Sequence, residues 1–449
     1  MLKSLIRRII PEPLIGAYHY ALSRAAAFWY RYPSEQMIVV GVTGTNGKST
    51  TVQFIGRILE HAGHRVGWTT TVGFKVAERE WMNDSKMTML GRFQTQKLLR
   101  QMADAGCRYA IIETSSQGIV QSRHIGINYD VVVFTNLTPE HIEAHGGFEK
   151  YKAAKLKLFE GLARLPRKTI GGARIEKGIV VNLMDPYAES FLACRAERYT
   201  GFALRDAGAL GTRLNTTPLI AQDIALTGAC TTFRVGEEVY HLKPVGRFYL
   251  ENALAAMATA KLLSVSSHAL ARAVESLQAV PGRLERIEEG QPFTVIVDYA
   301  PEPASLSALY ETLALIPHAR LIHVLGSAGG GRDVARRAVL GRMAAQRDDI
   351  VIVTNEDPYD DDPMEIVNDI ADAAQAAGKQ EGVNLLRILD RREAVQRAVA
   401  LAQPQDLVLL TGKGSEPVMA VARGKKVPWD DRAAARHALR LRYGSAQTS

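Results

Sequence analysis

The stretch Gly41-Val42-Thr43-Gly44-Thr45-Asn46-Gly47-Lys48-Ser49-Thr50 follows an apolar, strand-like run from Met37 to Val42 and precedes a helical pattern. A glycine-rich turn in that position presents successive backbone N–H groups, and the start of the helix adds its own, so Gly44, Thr45, Asn46, Gly47 and Thr50 can wrap a polyphosphate. Lys48 can reach the terminal phosphate oxygens, and the Ser49 hydroxyl can ligate Mg²⁺. The strict pattern wants glycine at position 42, where Val42 stands, so this loop is a variant. A glycine-rich turn with an accidental Lys-Ser pair is the bland alternative; the strand before and the helix after favour nucleotide binding.

The variant form T-G-T-N-G-K-S-T resembles the ATP loop of the Mur ligase superfamily, enzymes that join an amino acid to a carboxylate with ATP cleavage. Further matches follow in order. Ile112-Glu113-Thr114-Ser115-Ser116-Gln117-Gly118 resembles the E-V-S-S-H-G segment of the muramoyl-tripeptide synthetases. Phe134-Thr135-Asn136-Leu137-Thr138-Pro139-Glu140-His141 with His145-Gly146 is similar to F-T-N-L-x-x-D-H-x-x-x-H-G, and Tyr151-Lys152-Ala153-Ala154-Lys155 to Y-x-x-A-K. The likeness runs from about Met37 to the C-terminus.

The resemblance implies roles. Glu113 and Ser49 would hold Mg²⁺, His141 would help hold a second metal, and Lys155 would be carbamylated, which turns a repelling ammonium into a metal-attracting group. Lys48, His141 and Lys155 would carry the catalysis. Asn252 would meet adenine, Arg283 in Gly282-Arg283-Leu284-Glu285 would reach the ATP phosphates, and Asp298 the ribose. Thr88, Ser115 and Arg123 match positions that contact the muramoyl acceptor. The family's D-N-P-R signature for meso-diaminopimelate reads Glu356-Asp357-Pro358-Tyr359 here. A phenol in place of a guanidinium removes the fork that would hold a distal carboxylate. Acidic Glu356, Asp357, Asp360, Asp361 and Asp362 favour a cationic side chain instead, such as lysine or another diamino acid; a solvated acidic loop is the alternative. Gly412-Lys413-Gly414-Ser415-Glu416 resembles G-K-G-H-E, with Gly412 and Glu416 toward the amino acid. D-Y-A-H-x-P reads Asp298-Tyr299-Ala300-Pro301-Glu302-Pro303, without its histidine.

Apolar runs that position these motifs alternate with helix-length segments: Met37 to Val42, Tyr109 to Ile112, Val131 to Phe134 and Ile179 to Val181. The alternation predicts an α/β fold whose mostly parallel sheet is covered by helices. Shorter alternating stretches between Thr200 and Val245 read as antiparallel hairpins at the edge of that sheet, closed by a helix from about Glu251 to Leu263. Past the Val280-Pro281-Gly282 turn the alternation restarts at Thr294 to Val297, Leu321 to Leu325, Ile350 to Val353, Leu385 to Leu389 and Leu407 to Leu410. The expected domains are an N-terminal helical segment 1–36, a P-loop-type central ATPase domain 37–280 and a smaller Rossmann-like C-terminal domain 281–449.

Of 449 residues, 47% are hydrophobic and 23% charged, which excludes long disorder and a polytopic membrane protein. The net charge of +8 favours anionic partners, but scattered basic residues and 7% aromatics do not point to nucleic acid. Cys107, Cys194 and Cys230 support neither a disulfide framework nor a zinc site. A cytoplasmic monomer acting on small molecules is expected. Lys3, Arg7, Arg8, Phe28, Trp29, Tyr30 and Tyr32 give the first 36 residues a basic, aromatic character suited to peripheral contact with the inner membrane face, with packing onto the protein as the alternative. UDP-dependent members of the family carry an N-terminal domain of roughly 100 residues, ordinary domain size; the short lead here implies a reduced mode of UDP binding or a different acceptor. The expected activity is amide-bond ligation through an acyl phosphate, using ATP and Mg²⁺, on a muramoyl-peptide-like carboxylate. Folylpolyglutamate synthesis, a ligase subunit for lipid-linked precursor, and an inactive nucleotide-binding scaffold are the alternatives.

Overall fold

The computed structural model of the chain describes residues 12–85, 87–138, 145–206, 208–331 and 334–443. Its contacts divide into two compact units. One comprises the residues up to Ala225 with Cys230–Lys243 and Phe248–Leu277; the other comprises Leu226–Ala229, Pro244–Arg247 and the residues from Gln278 onward.

The first unit is built on a nine-stranded sheet. Its order is β11 (Leu219–Ile220), β10 (Arg198–Ala203), β9 (Gly178–Asn182), β6 (Val131–Phe134), β1 (Ile38–Thr43), β5 (Tyr109–Glu113), β2 (Val66–Thr69), β3 (Gly73–Val76) and β4 (Arg79–Met82). A two-residue hairpin, β7 (Thr169–Ile170) and β8 (Ala173–Arg174), stands apart. From β11 to β2 the pairings are parallel, and β1, β5, β6 and β9 are buried at every position. Such near-continuous Val/Ile runs are what a parallel sheet covered on both faces requires. The antiparallel pairs are β2–β3 and β3–β4, on the edge opposite to the one expected.

Between Thr200 and Val245 the sheet continues in parallel through β10 and β11, and the alternating stretches join a separate three-stranded sheet of β12 (Gln222–Leu226), β13 (Thr231–Val235) and β14 (Glu238–Leu242). One-sided burial in β13 and β14 reveals a hairpin, but alternation carries no information on which sheet the hairpin joins.

Helix α1 (Glu12–Trp29) packs on this unit through one stripe. Ser23, Ala26 and Ala27 are buried, and the Ser23 hydroxyl donates to the Ser122 carbonyl at 2.7 Å. Leu14, Tyr18, Tyr20, Phe28 and Trp29 stay exposed. Among the described residues, no helix is long and apolar enough to cross a membrane.

The second unit has a six-stranded sheet in the order β15 (Glu285–Arg286), β16 (Thr294–Val297), β20 (Leu407–Leu410), β17 (Leu321–Leu325), β18 (Ile350–Val353), β19 (Leu385–Arg387). All pairs are parallel except β15–β16. The chain leaves β16, β17, β18 and β20 at Asp298, Gly326, Thr354 and Thr411, which puts the polar and glycine-rich segments at the edge where open α/β sheets bind ligands.

Candidate active site

The glycine loop runs from the end of β1 into α2 (Lys48–His61). Gly47 adopts φ 79, and a Cβ there would lie 2.1 Å from Asn252 Oδ1; at Gly44 it would lie 1.9 Å from Thr135 Oγ1. Both positions demand glycine by close approach, and Gly47 also by conformation. The loop is laced to the segment after β6: Asn46 N donates to Asn136 Oδ1 at 2.8 Å, Thr45 N to the Asn136 carbonyl at 2.8 Å, and Thr135 Oγ1 to the Asn46 carbonyl at 2.7 Å. Asn136 thus holds the loop in shape, a task its motif position did not announce. Lys48 Nζ folds back onto the Thr45 carbonyl at 2.6 Å, the arc that a polyphosphate would share. Thr50 is buried in the first turn of α2. Asn252, on α6 (Arg247–Leu262), accepts from Thr51 Oγ1 at 3.2 Å and closes against Gly47.

Glu113, at the carboxyl end of β5, is buried. Ser49 Oγ donates to its Oε2 at 2.6 Å, Thr71 N donates to the same oxygen at 2.7 Å, and Thr71 Oγ1 lies 3.0 Å from Oε1. Thr71 also reaches Thr88, hydroxyl to hydroxyl at 3.0 Å. Sequence reasoning missed Thr71; the only signal was a run of threonines, Thr69-Thr70-Thr71, at the end of β2. A hydroxyl and a carboxylate are hard oxygen donors, and Mg²⁺ takes one or two carboxylates plus substrate phosphates, so Ser49 and Glu113 fit that ion.

Lys155, on α5 (Phe148–Leu162), is almost fully buried at 1% exposure; its Nζ donates to the Gly44 carbonyl at 2.6 Å and lies 4.5 Å from the Tyr151 ring centre. The Tyr151 hydroxyl is 3.2 Å from Thr45 Oγ1. Lys155 therefore stands directly behind the phosphate loop. His141 lies outside the described residues. His145 is brought to Ser116, Nε2 to Oγ at 3.0 Å, and burial followed by the nearby Lys155 charge lowers its pKa from the usual histidine range.

Ser115 caps α4 (Ser116–Val120) by accepting from Gly118 N at 3.1 Å. Arg123 donates from Nη1 to the Met89 carbonyl and lies 3.6 Å from Met87 Sδ, so it grips both neighbours of Thr88. Thr88, Glu113, Ser115 and Arg123 thus fall on contiguous segments of the first unit.

In the second unit, Asp298 is buried and accepts from Leu284 N at 2.6 Å and Ala300 N at 2.9 Å. It shapes the turn that carries Arg283, whose guanidinium stacks 4.3 Å from the Tyr299 ring centre. Gly282 packs so tightly on the Gly414-Ser415 backbone that a Cβ would sit 2.1 Å from Ser415 N.

Glu356, Asp357, Tyr359, Gly412 and Glu416 also come together there. Lys413 is fully buried; it donates to Asp357 Oδ1 at 3.0 Å, Glu416 Oε2 at 2.6 Å and the Val418 carbonyl at 2.9 Å. Glu416 and Asp357 are therefore engaged by an internal lysine, and Asp357 also accepts from Ala420 N at 2.6 Å. The remaining acids of the expected cluster have local tasks: Asp360 accepts from Arg423 N, Asp361 from Gly330 N, and Asp362 caps the following helix through Met364 N. That acidic run belongs to loop and cap geometry. Glu356 differs. Its Oε2 is buried without a hydrogen-bond partner, packed where a Cβ on Gly412 would lie 2.3 Å away. Burial, then the neighbouring Asp357 charge, pushes its pKa above the ordinary glutamate range. Tyr359 sits at φ 54 with its ring against Gly330.

A glycine loop between a buried parallel strand and a helix, with a Ser–Glu pair at its mouth, defines a P-loop-type nucleotide-binding α/β protein. Residues 42–260 match the model of the Mur ligase middle domain, and residues 282–414 that of the Mur ligase glutamate ligase domain. The UDP-N-acetylmuramyl-tripeptide synthetase of Roseiflexus sp. (strain RS-1) is 40% identical over 445 residues, covering 97% of this chain and 85% of the relative. A solved UDP-N-acetylmuramoyl-L-alanyl-D-glutamate–2,6-diaminopimelate ligase is 27% identical with a TM-score of 0.59, over 91% of this chain and 79% of that one. Folylpolyglutamate synthase of Mycobacterium tuberculosis shares the fold at 18% identity and a TM-score of 0.63, over 94% and 95% of the two chains. The chain belongs to the Mur ligase family of ATP-dependent carboxylate–amine ligases.

Proposed function

We propose that the protein adds a diamino acid to the carboxylate of a muramoyl-peptide-like acceptor in the cytoplasm, through an acyl phosphate. The observation that carries the reading is the Ser49–Glu113 pair, 2.6 Å apart at the mouth of the glycine loop, with Lys155 bonded to that loop's Gly44 carbonyl at 2.6 Å.

The loop's backbone N–H groups and Lys48 bind the triphosphate and hold its γ-phosphoryl group in line with the acceptor. Mg²⁺ held by Ser49 and Glu113, with a second ion that the family resemblance assigns to His141, would supply charge neutralisation on the phosphate oxygens. The acceptor carboxylate, laid along Thr88, Ser115 and Arg123, attacks phosphorus and ADP leaves. The amino acid's amine then attacks the acyl phosphate carbon, the tetrahedral intermediate expels phosphate, and an amide remains. Asn252, Arg283 and Asp298 take the nucleotide's remaining contacts by resemblance. The buried Lys155 ammonium would sit badly beside metal-bound phosphates unless carbamylated, and the carbamate's negative charge supplies attraction there.

The amino acid is read from Glu356 and Tyr359. A buried carboxylate oxygen without a partner is costly until a donor reaches it, and Tyr359 offers no fork for a distal carboxylate. A side-chain ammonium satisfies both conditions.

The test is phosphate release from ATP with a panel of amino acids and acceptors. Release with lysine or another diamino acid plus a muramoyl dipeptide, and none when either is omitted, is expected. Turnover with glutamate and a pterin would instead identify a folate ligase, and no release with any pair would leave a nucleotide-binding scaffold.

A further inference from the structure

Helix α1 gives one face to the fold and leaves the other to solvent. Ser23, Ala26 and Ala27 are buried, whereas Leu14, Tyr18, Ala21, Ala25 and Phe28 recur every three or four residues on the outward side, and all five are exposed. At that spacing they form one stripe along the helix. Tyr20 and Trp29 are exposed as well, and Trp29, at 74%, is the most exposed large apolar side chain among the described residues. Every exposed aromatic side chain among the described residues lies on α1 except Phe93, in the first turn of α3 (Arg92–Asp104). Arg92, beside Phe93, is close enough to interact electrostatically with Tyr18. Single exposed apolar residues are normal on a surface, but a concentration of them marks a contact face.

The charges around the stripe are mostly of one sign. Within α1 the only acid is Glu12 and the only strong base Arg24. Arg24 is exposed and lies over the Tyr32 ring at 5.7 Å, and Phe28 meets the same ring edge-on, so a guanidinium and two aromatic rings share one end of the helix. Arg31 follows, also exposed. Glu35, the other acid among residues 1–36, is taken up by Asn128 Nδ2 at 2.9 and 3.1 Å. Ahead of the described residues the sequence adds Lys3, Arg7 and Arg8 and no acid, with Leu2, Leu5, Ile6, Ile9 and Ile10 at the three- and four-residue spacing of an apolar stripe. Basic residues interleaved with such a stripe are the pattern of segments that lie on membranes.

A second copy of the chain fits this face poorly. The 18 residues of α1 span about 27 Å, and a stripe about 10 Å wide along them offers roughly 300 Å². A stable protein interface takes ~800 Å² from each partner. Two copies would also bring like charges together. A bilayer needs no shape match, takes tryptophan and tyrosine at headgroup level and, where its lipids are anionic, attracts each nearby lysine or arginine.

We propose that the outward face of α1, with the basic residues ahead of it, seats the protein on an anionic phospholipid surface. The helix lies in the plane of that surface. Phe28 and Trp29 enter the boundary between headgroups and acyl chains, and Arg24 and Arg31 keep their guanidiniums at headgroup level with their stems along the apolar layer. The stripe and the charges act together, since one signal alone gives only marginal attachment.

Sedimentation of the full-length chain with phosphatidylglycerol vesicles and with phosphatidylcholine vesicles tests the proposal. The wild type should pellet with the first and stay in solution with the second, and its binding should weaken as salt is raised. R7Q/R8Q and F28S/W29S should each lose about 10-fold or more of the affinity for phosphatidylglycerol, while melting as the wild type does. A wild type that ignores phosphatidylglycerol, or pellets equally with both lipids, would overturn the proposal, as would undiminished binding by F28S/W29S. A dimer in sedimentation velocity that F28S/W29S dissolves, without vesicle binding, would overturn it in favour of a second copy. Should F28S/W29S fail to melt cooperatively, tryptophan fluorescence of the wild type on phosphatidylglycerol with brominated acyl chains carries the test. Quenching that W29F removes supports insertion, and unchanged emission overturns it.

Discussion

Glu356 links burial to specificity at the scale of single residues. Its carboxyl group is held above the ordinary glutamate range by burial and then by the neighbouring Asp357 charge. A substrate ammonium docking on Oε2 favours the charged form and lowers that pKa, so binding must release protons. Titration calorimetry over a pH series, in two buffers of different ionisation enthalpy, should report proton release on binding lysine where Glu356 is partly protonated and none on binding alanine; uptake with lysine would refute the assignment. Thr71 makes a second case. Thr71→Val removes the hydroxyl contacts to Glu113 and Thr88 while keeping the backbone N–H bond. Hydrogen bonds to charged groups contribute about 1.5–3 kcal/mol, so half-saturation by Mg²⁺ should rise roughly 10-fold or more. Lys48, Ser49 and Glu113 were legible because each sits in a chain-local motif. Thr71 was not, because its partner is 42 residues away and the two meet only when β2 pairs with β5.

At the scale of elements, the strand–loop–helix unit depends on the fit between Gly47 and α6. Gly47→Ala combines a positive φ with a Cβ 2.1 Å from Asn252 Oδ1, whereas Gly63→Ala, past the end of α2 at φ 84, meets nothing within 4 Å. Gly63→Ala should cost only the conformational penalty of about 1–2 kcal/mol. Gly47→Ala should in addition abolish measurable ATP binding, because its Cβ would push Asn252 and the loop apart. Equal ATP affinity for both glycine variants would contradict the close approach. The strands of the second sheet were legible nearly residue for residue, since fully buried parallel strands print their length as uninterrupted apolar runs. The edges were not. β3 and β4 are short and partly exposed, and the Thr200–Val245 hairpin showed its alternation without its partner sheet.

At the scale of the whole molecule, two units with separate sheets make a single unfolding midpoint an unsafe summary. A ligand that binds only native protein stabilises it by about 2.7 kcal/mol at 100 times its Kd. Mg·ATP should therefore raise the melting of the first unit, with added hydrogen-exchange protection at residues 44–51 and 135–138; protection absent from both segments would place the nucleotide elsewhere. The two-unit organisation was legible in the restart of the strand alternation after the Val280-Pro281-Gly282 turn. What stayed hidden was which charges are consumed internally, as Asp357 and Glu416 are by Lys413, because neutralisation is a property of the folded loops. The central claim is that the acceptor carboxylate is activated as an acyl phosphate, and it is tested most directly by labelling that carboxylate with ¹⁸O. One labelled oxygen should appear in the inorganic phosphate released, in step with amide formation; label retained wholly in the peptide product, or transferred to AMP, would contradict the account.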